Sequence, residues 1–363
     1  MAGGLEAALA GVIDPTFERS MVELGLLEVV SQRPLHLRVG LVSPAPEVKA
    51  EVQKRVVDAL NAAGELGEAG AVPEIAWELR VPTRQIQSND PLPDVRNVIL
   101  VMSGKGGVGK STVASNLSLA LKQSGYRVGL LDADMYGPSV PTLFGIQGHP
   151  TSRDGKHIDP LERFGLKLMS VGFLLEDAHA AVIWRGPMLH GALNQFLGDV
   201  AWGGLDFLVL DLPPGTGDIA LTLAQKLKVT GVVMVTTPQE VALQDVYKGV
   251  SMCKKLNLPI LGVVENMSYF VDSAGVRQTI FGEGGGARIA AFAEAPLLAQ
   301  IPIETAVREG GDAGMPVVQG APESAAALAF SDLATSVVAR VNATQVEGGL
   351  PRMETPKRLR IVR

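Results

Sequence analysis

From Val95 onward, short apolar runs alternate with longer stretches whose apolar residues recur every three or four positions. The runs are NVILVMS (97–103), RVGLLDAD (127–134), DFLVLDLP (206–213), GVVMVTT (231–237) and PILGVVEN (259–266). A run with no polar alternation suits a strand covered on both faces, and the helical spacing between runs suits crossover helices. The pattern therefore predicts an α/β domain with a doubly wound, mostly parallel sheet over residues 95–341. Residues 1–81 read differently, as a small α+β domain. It has a helical start, an alternating strand Leu35–Val42, a helix Glu47–Ala63 and a second strand near Ile75–Val81. Between them PTRQIQSNDPLP (82–93) is polar and proline-bearing, which predicts an exposed linker over 82–94. Residues 342–363 read as a poorly ordered tail whose basic end, PKRLRIVR, is a solvated charge run.

Composition narrows the functional classes. The 363 residues leave room for two domains, and 47% hydrophobic against 19% charged residues describes a chain that folds. A formal net charge of -6 argues against a protein that coats nucleic acid, which needs clustered Lys and Arg. No apolar run approaches the ~18 residues of a membrane span, and the start lacks the pattern of a secretory signal. A cytoplasmic protein with neither nucleic acid nor membrane as partner is expected. The one cysteine, Cys253, excludes an intrachain disulfide and a cysteine-based metal site within one chain. It falls in a helix expected over Val241–Leu256 and reads as a buried structural thiol. His36, His149, His157, His179 and His190 show no close ligand spacing.

The candidate chemistry lies just past the first strand of the larger domain. Gly104-Lys105-Gly106-Gly107-Val108-Gly109-Lys110-Ser111 satisfies the phosphate-loop pattern G-x-x-x-x-G-K-[ST]. Thr112 follows, and Val113, Leu117, Ala120 and Leu121 recur at helical spacing, so the loop opens into a helix whose amides and dipole attract phosphate. Glycines allow the backbone to wrap phosphate oxygens, Lys110 supplies charge, and Ser111 is the expected Mg²⁺ ligand. ATP and Mg²⁺ are thus the expected cofactors. In doubly wound sheets ligands lie beyond the carboxyl ends of the strands, where Asp132, Asp134 and Asp211 fall. Asp211 is the expected second metal carboxylate and Asp134 the residue that orients the attacking water. Each could instead cap the turn or helix that follows, and for Asp132 the two readings are balanced.

The segment GKGGVGKST (104–112), with its additional Lys105, resembles the deviant phosphate-loop ATPases that include the nitrogenase iron protein and the cell-division and plasmid-partition ATPases. The resemblance implies a nucleotide-sandwich homodimer in which Lys105 reaches the partner's phosphates, with switches around Asp134 and over Asp211–Asp218. Further motifs are DADMYGPSVP (132–141), WRGPM (184–188), DLPPGTGD (211–218), TTPQEVAL (236–243), VENMS (264–268) and FGEGGG (281–286). Together they resemble the Mrp/ApbC family of ATPases, described as iron-sulfur cluster carriers. That likeness implies ATP hydrolysis, a bound cluster, Asn266 against the adenine base, and iron-sulfur apoproteins or assembly factors as partners. VIDPTFERSMVELGLLEVV (12–30) is similar to the MIP18-type domain often placed ahead of this ATPase.

One expected feature is missing. Carriers of this family hold the cluster with Cys-x-x-Cys between VENMS and FGEGGG. Here YFVDSAGVRQTI (269–280) puts Asp272, Ser273 and Ala274 where thiolates would stand, and Ser43-Pro44-Ala45-Pro46 likewise lacks a cysteine in the first domain. Two alternatives share the loop. One is a MinD/ParA-like positioning ATPase that switches between monomer and ATP dimer; the other is a biosynthetic enzyme that activates a carboxylate with ATP.

Overall fold

The chain divides between Thr83 and Arg84 into two units, each with buried apolar residues of its own. Met1–Thr83, with residues from Asn342 on, make one compact unit and Arg84–Val341 the other. The structure is a computed structural model that describes residues 2–32, 34–65, 73–135, 137–152, 154–174, 186–215 and 217–347. Tyr136, His179, Trp184 and Arg185 of WRGPM, Thr216 and the basic run PKRLRIVR lie outside the described residues.

In the first unit, α1 (Ala2–Ala10), β1 (Leu27–Gln32), β2 (Leu35–Leu41), α2 (Pro46–Ala62) and β3 (Glu74–Leu79) follow in order. The sheet runs β1-β2-β3, antiparallel then parallel. Val52, Val56 and Leu60 recur every four residues on α2 and are fully buried, so one stripe of the helix joins Leu37 and Val39 of β2 in the core. Burial of each such side chain contributes about 1.5–3 kcal/mol. The strand β1 escaped the sequence pattern because it is an edge strand with a single buried residue, Leu27.

The second unit contains β4 (Val95–Ser103), α3 (Lys110–Gln123), β5 (Val128–Asp132), α4 (Val140–Leu143), β6 (Leu161–Arg163), β7 (Leu166–Ser170), α5 (Gly186–Gly198), β8 (Leu205–Asp211) and α6 (Gly217–Lys226). It continues with β9 (Gly231–Thr236), α7 (Glu240–Lys255), β10 (Ile260–Glu265), the small hairpin β11 (Phe270–Val271) and β12 (Arg277–Gln278), and α8 (Gly285–Ala293). Last come β13 (Leu297–Gln300), α9 (Thr305–Asp312), α10 (Val317–Gly320) and α11 (Ala325–Glu347). The main sheet has the order β13-β10-β9-β4-β8-β5-β7-β6, parallel throughout except for the edge pair β6 and β7. The wholly apolar runs became its central strands: every residue of β5, β8 and β9 is buried. This is the doubly wound architecture the pattern predicts.

Topology then places the chemistry. The strand β4 lies between β8 and β9, while the chain leaving it crosses to β5 on the far side of β8. That reversal opens a crevice at the carboxyl ends. Parallel register sets Asp211 beside Val101 of β4 and beside Asp132 of β5, so two acidic strand ends meet under the loop that follows Ser103.

Two stretches differ from expectation. Within 82–93 residues 85–89 and Pro93 are exposed, whereas Pro82, Arg84, Asp90 and Leu92 are buried. Buried Arg84 forms a two-pronged ion pair with Asp90 and donates to the Leu92 carbonyl at 2.7 Å, which folds the segment on itself, while the Arg84 backbone N–H donates to the Arg96 carbonyl of β4 at 2.9 Å. A charge pair six residues apart leaves no periodic trace in the sequence. After Asn342 the chain remains helical to Glu347, since α11 does not end at the position where the tail was expected to begin.

Candidate functional site

The loop between β4 and α3 is shaped by what surrounds it. A Cβ on Gly104 would lie 2.4 Å from backbone atoms of Asp245 and Val246 in α7, and one on Gly109 would lie 2.2 Å from the Asn266 side-chain nitrogen. Gly109 also has φ of 78°, a left-handed conformation that glycine adopts without a steric penalty. Both positions therefore demand glycine. Helix α3 begins at Lys110, with Val113 N–H donating to the Gly109 carbonyl at 2.9 Å. The amides ahead of that bond have no partner within the helix and face the crevice end of the sheet.

Lys110 is almost fully buried and its ammonium is ringed by oxygens. It donates to Asp211 Oδ1, stands 3.4 Å from Ser111 Oγ and lies 3.8 Å from Asp134 Oδ2. Four residues picked from the sequence, Lys110, Ser111, Asp134 and Asp211, are thus brought together. Lys105 is half-buried in the same loop, and its ammonium has no ion-pair partner among the described residues. Lys105, Gly107, Lys110, Ser111, Thr112 and Asp134 line a cavity of about 290 Å³.

Asp132 resolves as a fastener. Its side chain accepts from the backbone of Asp134 at 3.1 Å, Ser139 at 3.0 Å and Val140 at 3.1 Å, and from Ser170 Oγ at 3.0 Å. The loop that presents Asp134 is thereby tied to β5 and β7. Complete burial, and next the Asp211 carboxylate beside it, push the Asp132 carboxyl up to about 7. Burial also holds Asp211 above the ordinary carboxylate range even with Lys110 against it.

A pH effect on stability follows. An unfolded aspartate ionises near 3.8, whereas folded Asp132 keeps its proton until about pH 7, so in that window the folded state binds more protons. Nucleotide-free wild type should lose stability relative to Asp132→Asn as pH rises from about 4 to about 7, and the gap should then stay constant. Urea unfolding at a series of pH values measures this; a gap independent of pH would contradict it.

Beyond Gly109 the crevice continues into a second cavity of about 510 Å³. The two cavities share Gly109, Thr112, Ser139 and Leu143, so one elongated ligand could span both. Asn266 lies in the wall of the second, and its side-chain N–H donates to the Val108 carbonyl at 2.9 Å. Pro302, Ile303 and Arg308 complete that wall, and the sequence reading missed them. The only available signal was the IPIE turn after the short edge strand β13.

Cys253 is fully buried within α7, and burial pushes its thiol up to about 11. Among the described residues no group of three or more His, Cys, Asp or Glu could hold a metal ion, and no helix is long and apolar enough to cross a membrane. The segment 269–280 folds as the β11–β12 hairpin, with Asp272 accepting from the amides of Ala274 and Val276 at 2.9 Å each.

Comparison with known proteins adds independent findings. A family model described as ParA: NUBPL iron-transfer P-loop NTPase matches residues 94–338. The iron-sulfur cluster carrier protein of Deinococcus radiodurans is 43% identical over 346 residues, covering 94% of this chain and 96% of that protein. Its counterpart in Aquifex aeolicus is 54% identical over 248 residues, 67% of each chain. Among solved structures, a nucleotide-binding protein from Archaeoglobus fulgidus in complex with ADP is 40% identical. It has a TM-score of 0.55 and covers 63% of this chain and 92% of that one. The cell division ATPase MinD of Pyrococcus furiosus is 28% identical with a TM-score of 0.51, covering 66% and 98%.

Proposed function

Because the chain belongs to the ParA/NUBPL iron-transfer P-loop NTPase family, we propose that it is a Mg²⁺-dependent ATPase in iron-sulfur protein assembly whose active site is completed by a second copy. The observation that carries this reading is the convergence of Lys110, Asp134 and Asp211 at the foot of a helix-opening glycine loop. The positioning-ATPase alternative shares the fold. Relatives that match across more than nine-tenths of this chain are iron-sulfur cluster carriers, which favours the assembly role.

The residues divide the work. Amides of Gly106–Ser111 and the α3 dipole hold the β and γ phosphates, and Lys110 turns from Asp211 toward them. Ser111 and Asp211 fit a Mg²⁺ ion: Asp211 Oδ2 is buried without a hydrogen-bond partner, and oxygen donors suit a hard cation. When bound, Mg²⁺ neutralises charge on the β and γ phosphate oxygens. Asp134, steadied through Asp132, orients the water that attacks the γ phosphate. Lys105 extends to the phosphates bound by the partner copy, and Asn266 meets the adenine base in the second cavity.

The cluster is the cargo of this system rather than a resident group. Its irons take thiolate ligands, and the sole candidate here is a buried thiol held well above neutral pH. This chain's residues do not fit a cluster, so we assign it to assembly on a client or scaffold protein. Purified protein should hydrolyse ATP only with Mg²⁺, and EDTA should stop turnover. After anaerobic incubation with iron and sulfide and then desalting, neither wild type nor Cys253→Ser should retain stoichiometric iron. A stable chromophore with about four irons per dimer would return the cluster to this chain.

A further inference from the structure

Glu265, the last residue of β10, is 1% exposed and pairs with no lysine, arginine or histidine among the described residues. Three donors surround it instead. Oε1 accepts from Ser268 Oγ at 2.6 Å and from Gln300 Nε2 at 2.9 Å, while Oε2 accepts from the Gly286 backbone at the start of α8. Gln300 also donates to Ser268 Oγ at 3.1 Å, which closes a small ring of contacts. A buried carboxylate without a cation persists only where its oxygens are satisfied in this way.

The ring encloses a turn. Glu265 and Ser268 bracket Asn266 and Met267, both of which line the larger cavity. Met267 has φ of 54°, a left-handed conformation that a side chain with a Cβ adopts only when its surroundings impose it. Backbone bonds fix the flanks: Ser268 N–H to the Ile301 carbonyl, Ile301 N–H to the Glu265 carbonyl, both at 2.9 Å. Asn266 in turn reaches the phosphate loop at Val108. The strained turn thus forms the wall of the cavity farther from Lys110, and Glu265 braces it from behind.

We propose that Glu265 is the positioning residue for the nucleoside end of the site. It holds the Asn266–Met267 turn, so recognition of base and ribose depends on it and recognition of the polyphosphate does not. This rests on the nucleotide-binding reading above and extends it to a residue that touches no ligand.

Glu265→Gln is an informative change, because an amide keeps one acceptor oxygen and turns its NH₂ toward a donor that Glu265 had satisfied. Calorimetric titration with Mg-ATP and, separately, with Mg-tripolyphosphate gives the readout. The variant should bind ATP about tenfold or more weakly while tripolyphosphate affinity stays within about twofold. Ser268→Ala, which removes one donor and leaves the carboxylate, should shift the ATP-to-tripolyphosphate ratio in the same direction by less. Equal losses on both probes, or unchanged ATP affinity, would overturn the proposal. If Glu265→Gln does not fold, an unchanged ratio in Ser268→Ala overturns it alone. Wild type that binds tripolyphosphate and ATP equally well also overturns it, whereas wild type that binds neither removes the nucleotide reading itself.

Discussion

Lys110→Ala is expected to reduce ATP turnover by roughly 10²–10³-fold or more, the scale seen when one fixed charge donor is lost from a transition state. The structure adds a second consequence. Lys110 is the cation against Asp211, which is fully buried beside the equally buried Asp132. Truncation leaves two adjacent carboxyls without a counter-charge, and breaking a buried pair from one side costs about 3–5 kcal/mol. Because Asp132 keeps its proton up to about pH 7, the loss should fall at or below the lower end of that range near pH 6 and grow as pH rises through 7. Lys110→Arg separates the two effects: it keeps the charge and should recover much of the stability, while turnover stays low because the bulkier guanidinium does not fit the loop. Phosphate release and urea unfolding on the same preparations test this. Turnover in Lys110→Ala within tenfold of wild type would contradict it.

Asp134→Ala should produce the opposite pattern, with little change in affinity and a large loss of rate. Asp134 is the more exposed of the two carboxylates near Lys110 and is separated from the ammonium by 3.8 Å. Its removal takes one competing anion away from Lys110, so ATP binding should hold or tighten slightly. Turnover should fall by about 10²–10⁴-fold, the usual contribution of a group that orients or deprotonates a nucleophile. Trapped in the ATP state, the variant should accumulate as a dimer by light scattering in the presence of Mg-ATP. Parallel losses of affinity and rate would mean that Asp134 serves the fold or the binding step.

Much of this site was legible in the sequence because its residues occupy positions with strong local signals. Lys110 and Ser111 sit in a spaced glycine pattern between an apolar run and a helical one, and Asp211 ends an apolar run of its own. The consequence of register was not legible. That Asp132 and Asp211 face each other across neighbouring strands, so that the Asp211 carboxylate helps to raise Asp132, depends on β8 inserting between β4 and β5. Asp132 accordingly read as evenly balanced between cap and catalyst, and its four hydrogen bonds make it the support of the loop that presents Asp134. Glu265 was hidden for a similar reason. Its partners Gln300 and Gly286 are distant in sequence and meet it only once β10, β13 and α8 have packed.

The short elements were also out of reach. The strands β6 and β13 have three and four residues, too few for a period to register, yet β13 delivers the Pro302–Arg308 wall of the larger cavity. In the first unit the motif around Asp14 proved to be a turn. One Asp14 oxygen accepts from the amides of Thr16 and Phe17, which fixes the chain's reversal ahead of β1.

Amide hydrogen exchange with and without Mg-ADP tests most directly whether a polyphosphate is held by the loop that opens α3. Slowed exchange should concentrate at Gly106–Thr112, with a second region at the Asn266–Ser268 turn, and both should be lost in Lys110→Ala. Saturating Mg-ADP that leaves the exchange of Gly106–Thr112 unchanged would contradict the account.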